Sequence, residues 1–69
     1  METILKDHKG RKYKVGSLVR VSITIDGIPL KPFRGYVKRI TNKYIVINPL
    51  NQDFFRYVSP DNITVLKFN

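Results

Sequence analysis

The chain has 69 residues, with 13 Lys plus Arg against 5 Asp plus Glu, a formal charge of +8, no Cys and no Trp. That length holds one domain, residues 1–69, which buries only ~60% of its unfolded surface. The lack of cysteine excludes a disulfide-stapled secreted scaffold and suits a reducing, cytoplasmic setting, while 42% apolar residues exclude a disordered basic tail.

Residues 3–6 and 12–15 read as two short strands around His8-Lys9-Gly10-Arg11, with Gly10 supplying the turn. Gly16-Ser17 precedes a strand at 18–26, where Val19, Val21, Ile23 and Ile25 alternate with Arg20, Ser22, Thr24 and Asp26. Period-two alternation of β-branched residues predicts one buried face and one wet face. Asp26-Gly27 breaks this strand. The following stretch to Pro32 carries two prolines, which cannot donate to a ladder, so an ordered loop is expected, with Ile28 and Leu30 tucked under the core.

A strand resumes at 33–41, where Gly35 marks a bulge or a close backbone approach. Val37 and Ile40 are the inward residues, and their spacing of three also asks for a bulge. The Asn42-Lys43 turn leads into residues 44–48, apolar on both faces, whose outer face must therefore be covered. Residues 54–58 form a further strand, Ser59-Pro60-Asp61-Asn62 a single helical turn, and Ile63 to Phe68 the closing strand. Phe33, Phe54 and Phe68 are assigned to the core, and Tyr44 to a lid over it. The expectation is an all-β fold of five or six short antiparallel strands with one helical turn near residues 59–62. Strands this short must curl into a barrel or half-barrel to cover their apolar faces and edges. An edge strand, residues 3–6 or residues 63–68, is expected to be free to pair with another copy of the chain.

The ending Tyr57-Val58-Ser59-Pro60-Asp61-Asn62-Ile63-Thr64-Val65-Leu66 resembles the terminus of an SH3-like small barrel, where a proline-bearing turn separates the last two strands. Gly16-Ser17-Leu18-Val19-Arg20-Val21, followed by Gly35-Tyr36-Val37-Lys38-Arg39-Ile40, is similar to the glycine-valine pattern of KOW-type barrels. Those units keep a shorter connection between the two segments than the Gly27 to Pro32 stretch seen here. The resemblance implies a barrel that contacts RNA or protein.

No reactive chemistry is legible. Thiol nucleophiles are excluded, the single His8 cannot anchor a zinc site that needs three or four ligands, and the five acids are dispersed in sequence. The four glycines are scattered too, so no phosphate-cradling loop is present. The chain is therefore expected to be no enzyme and to take no metal or cofactor. A membrane is not expected as a partner, since the longest apolar run, Tyr44-Ile45-Val46-Ile47, is far below the ~20 residues of a span. Nor does the N-terminal stretch have the apolar length of a signal peptide.

The charge is uneven. Residues 8–52 hold ten cations and a single acid, Asp26, while the flanks are near neutral. Such an excess calls for a polyanionic partner, and nucleic acid is the commonest one. With Val37 facing inward, Arg34, Tyr36 and Lys38 fall on one outward stripe. Arg20 joins from the neighbouring strand, and Arg39 and Lys43 rim the next turn. The N-terminal hairpin adds Lys12 and Lys14, with Tyr13 between them. Cations for phosphates and exposed aromatics for bases are the ingredients of a nucleic-acid-binding barrel of low sequence specificity. The alternative is a protein-interaction adaptor. Phe55 and Tyr57 share a face opposite Phe54 and Val58, so one of these pairs is partly exposed, and an aromatic patch there suits a protein partner, an acidic one included. Together these readings predict a basic face and a separate, near-neutral aromatic face.

Overall fold

In a computed structural model that describes residues 2–69, the chain is all-β, with nine short strands and one 3-10 turn. In chain order these are β1 (Leu5–Lys6), β2 (Lys12–Tyr13), β3 (Leu18–Val21), β4 (Thr24–Ile25), β5 (Ile28–Pro29), β6 (Phe33–Ile40), β7 (Ile45–Pro49) and β8 (Arg56–Val58). The 3-10 turn Pro60–Asn62 and β9 (Ile63–Lys67) complete the chain. Five strands form an antiparallel sheet in the order β8-β7-β6-β3-β9, and β1–β2 and β4–β5 are separate two-stranded ladders. Among the described residues no ladder joins the edge strands β8 and β9, so hydrogen bonding does not close the expected barrel.

Alternation along the strands sorts the faces. Val19 and Val21 of β3, Val37 of β6, Ile45 and Ile47 of β7, Val58 of β8 and Ile63 and Val65 of β9 point into one core with Tyr13 of β2. The bulge expected from the Val37/Ile40 spacing lies between Val37 and Arg39, where the pairing with β7 steps from Val37↔Ile47 to Arg39↔Val46. Lys38 is the extra residue. Lys38 and Arg39 are both exposed as a result, and Ile40 returns to pack on the core. Gly35 makes the close approach. A Cβ there would stand 2.6 Å from Ile47 Cγ2 and 2.7 Å from the Asn48 carbonyl oxygen.

Three expectations need correction. The strand read as 18–26 stops at Val21, and the chain re-pairs as the β4–β5 hairpin. Its turn residues Asp26 and Gly27 take φ of 53° and 79°, the left-handed pair that a two-residue hairpin loop requires. Ile28 thus lies in a strand rather than a loop. Ile25, Ile28 (66% exposed) and Leu30 face solvent, because a two-residue ladder outside the main sheet has no face to lay on the core. Secondly, Phe54 and Phe68 lie outside the core. Strand β8 begins only at Arg56, which leaves Phe54 in the preceding loop, and Phe68 lies beyond the end of β9. A cation covers part of each ring: Arg56 Cζ is 5.9 Å from the Phe54 centroid, and Lys14 Nζ is 4.9 Å from that of Phe68. Phe33 is half-buried against the core, as expected. Thirdly, Tyr13 is fully buried rather than displayed between two lysines. Its hydroxyl has no partner among the described residues.

Asp7 fixes the N-terminal hairpin to the sheet. It is only 7% exposed, and its carboxylate accepts from the amides of Lys9 (2.9 Å), Arg11 (2.8 Å) and Val65 (2.9 Å). The first two bonds shape the turn at 7–11, and the third reaches across to β9. Burial pushes the carboxyl pKa up. The three amide bonds, helped by His8, outweigh it and hold the group below its usual 3.8. At the other end of the same strand pair, Ser17 Oγ accepts from the Lys14 amide at 2.9 Å and donates to the Phe68 carbonyl.

Candidate nucleic-acid interface

Cross-strand register places the outward side chains of the main sheet in rows. One row is Thr64–Arg20–Arg34, across β9, β3 and β6. The next is Leu18–Tyr36–Asn48, across β3, β6 and β7. The third is Arg39–Val46–Tyr57, across β6, β7 and β8, with the bulged Lys38 beside it. Strands lie ~4.8 Å apart, so Arg39 and Tyr57 are separated by only ~10 Å of backbone. The predicted stripe Arg34, Tyr36, Lys38 is exposed throughout, and Arg20 sits directly opposite Arg34.

Aromatic residues complete the third row. The rings of Tyr44 and Tyr57 meet edge-to-face, with centroids 5.0 Å apart and planes inclined by 67°. Tyr57 remains 64% exposed, and Phe55 is exposed beside it. Lys38 and Arg39 on one side and Tyr44, Phe55 and Tyr57 on the other enclose a shallow depression of about 360 Å³ with Val46 in its lining. These rings cover the outer face of β7, which is why Val46 is buried although it points away from the core. Tyr44 thus serves as a lid on the outer side of the sheet, and 38% of it is open to solvent.

The expected separation of a basic face from an aromatic one is therefore corrected. Phe55 and Tyr57 come from the near-neutral part of the sequence, but β8 is only two strands from β6, and pairing brings them to Lys38 and Arg39. Not every predicted cation joins this surface. Lys12 stands opposite Lys6 on the separate β1–β2 ladder. Lys14 is half-buried and pairs with Glu2 at 3.6 Å, the only ion pair among the described residues. Lys43 lies in the exposed turn that Thr41 Oγ1 organises by accepting from the Lys43 and Tyr44 amides at 3.2 and 3.0 Å.

Sequence reasoning missed two contributors. Arg56 is half-buried, its guanidinium 5.3 Å from the Phe33 ring centroid and 5.9 Å from that of Phe54. Lys31 stands with Arg20, Arg34 and Arg56 around the far end of the stripe. Neither had a signal in strand periodicity, because their proximity depends on how loops 30–32 and 50–55 fold back. Among the described residues no cluster of three or more His, Cys, Asp or Glu side chains is placed to hold a metal ion. No described helix is long and apolar enough to cross a membrane. Comparison with known proteins finds no matching family model, no matching curated protein and no matching solved structure.

Proposed function

We propose that the protein is a non-enzymatic nucleic-acid-binding module built on an SH3-like small barrel plan, and that it takes single strands on the outer face of its main sheet. One observation carries the reading: exposed cations and exposed aromatics interleave on one surface, with no carboxylate paired to them among the described residues. Arg20, Arg34, Lys38 and Arg39, with Lys43 at the rim, contact phosphates, while Tyr36 and Tyr57 offer ring faces to bases. Ring faces are useful only to unstacked bases, which favours single strands over a duplex. The strand order β8-β7-β6-β3-β9 and the 3-10 turn between the last two strands support the SH3-like plan.

Fluorescence anisotropy with short single-stranded oligonucleotides at several salt concentrations tests the proposal. Affinity falls with salt, with a log–log slope near −0.7 for each phosphate contacted. Arg39→Gln lowers that slope by about 0.7, and Tyr57→Ala weakens binding by roughly tenfold while leaving the slope unchanged. The competing reading, docking of Phe55 and Tyr57 on an acidic protein, uses the same surface. It takes precedence if no oligonucleotide binds at low salt.

A further inference from the structure

The far end of the cationic stripe is shaped differently from the rest. There the sheet surface gives way to a notch of about 650 Å³ walled by the segments 31–34 and 49–52. Four cations, Arg20, Lys31, Arg34 and Arg56, line it, and no carboxylate does. Arg20 and Arg34 are directly opposed in register, an arrangement of like charges that costs stability unless an anion sits between them. The Leu50 amide donates to the Arg34 carbonyl at 3.0 Å, which ties the 49–52 wall to β6. Arg56 is held over the Phe33 and Phe54 rings rather than by a carboxylate. Gln52 completes the 49–52 wall.

We infer that this notch binds the terminal nucleotide of a strand through its phosphomonoester. The inference rests on the single-strand reading above. A terminal phosphomonoester carries about −1.5 to −2 charges at neutral pH against −1 for an internal diester, which suits a cluster of four cations. The guanidinium groups of Arg20, Arg34 and Arg56 supply forked N–H donors to its oxygens, and Lys31 adds charge at the mouth. The wall formed by 49–52 stops the strand there, while the rest of the chain runs along the stripe toward Tyr36, Arg39 and Tyr57.

The test is anisotropy on the full chain with three oligonucleotides of one sequence: one with a 5′-phosphate, one with a 3′-phosphate and one with hydroxyl ends. The label sits internally. One phosphorylated form binds about tenfold tighter than the hydroxyl form, the effect of one additional charged hydrogen-bonded contact. Lys31→Gln and Arg56→Gln each abolish most of that preference, read within each variant as the ratio of the phosphorylated to the hydroxyl affinity. Lys31 is an exposed loop residue, so its variant is free of the folding question that attends Arg56. Equal affinity for all three forms overturns the terminal-phosphate site and leaves the single-strand reading standing. An unchanged preference in both variants also overturns it. Failure of all three forms to bind at low salt removes the single-strand reading, and this inference with it.

Discussion

Replacing Asp7 with asparagine changes one oxygen into an NH2 group and tests how the N-terminal hairpin is held. The carboxylate accepts three amide hydrogens, two through Oδ1 and one through Oδ2. In Asp7→Asn the amide oxygen keeps the Oδ1 position and serves Lys9 and Arg11. The NH2 group then meets the Val65 amide, donor against donor. Lys9 and Arg11 lie at the surface, where water replaces a weakened bond at little cost. The Val65 bond is buried, so its loss carries the full penalty of an unsatisfied donor plus the loss of a charged acceptor, about 2–3 kcal/mol. A domain of this length has roughly 3–10 kcal/mol in total, so the variant is expected to stay folded with a clearly lowered midpoint. The pH dependence supplies a second reading. The folded pKa of Asp7 lies below the unfolded value of 3.8. Its stabilisation is therefore fully present above pH 3.8 and is lost as pH falls through the lower folded value. The stability difference between wild type and Asp7→Asn is constant from pH 7 down to about 5 and shrinks below about 4. Urea unfolding followed by tyrosine fluorescence, at several pH values, measures both. A variant within about 0.5 kcal/mol of wild type at pH 7, or one with an undiminished acid limb, would refute the assignment of Asp7 as the hairpin anchor.

Other substitutions probe separate parts of the fold. Gly35→Ala is expected to cost about 2–3 kcal/mol in urea unfolding, since its Cβ meets Ile47 Cγ2 at 2.6 Å and the Asn48 backbone at 2.7 Å and cannot be relieved without opening the β6–β7 ladder. Tyr13→Phe removes a buried hydroxyl that has no partner among the described residues and is expected to raise stability by about 1 kcal/mol at pH 7. Burial, with Asp7 and Asp61 adding, holds the Tyr13 phenol above its usual 10.0. Its contribution is thus full below pH 10.0 and is lost as pH rises through the folded value, so the phenylalanine variant shows a flatter alkaline limb in the same assay. Ile28→Thr, on the exposed β5, is expected to change stability by less than about 0.5 kcal/mol, and a larger loss would show that the hairpin covers core surface after all.

The strands that belong to the main sheet were readable because their faces differ. Val19 and Val21 alternate with Arg20, and the spacing of Val37 and Ile40 by itself implies the bulge. The outer cover of residues 44–48 followed from apolarity on both faces, and Tyr44 and Tyr57 supply it. Periodicity failed where a residue's environment is set by a turn. Asp26-Gly27 closes a hairpin that carries Ile25, Ile28 and Leu30 away from the core. Asp7 carries no periodic signal, being one of a few acids in a near-neutral stretch. An aspartate opening the sequence Asp7-His8-Lys9-Gly10 is nevertheless the local signature of a side chain that bonds the turn's own amides.

An all-β domain, a single helical turn at residues 59–62, a bulge or close backbone approach at Gly35, and an excess of cations with an outward stripe on one strand are all legible in the chain alone. Each follows from local alternation, turn chemistry or composition, which depend on neighbours in the chain. That the cations and the aromatic residues share a surface emerges only when the strands pair. Residues 38–39 and 55–57 lie far apart in sequence, and the Arg39–Val46–Tyr57 row exists because β7 pairs with both β6 and β8. Register between strands is a cooperative property of the packed sheet, and no stretch of the chain encodes it alone.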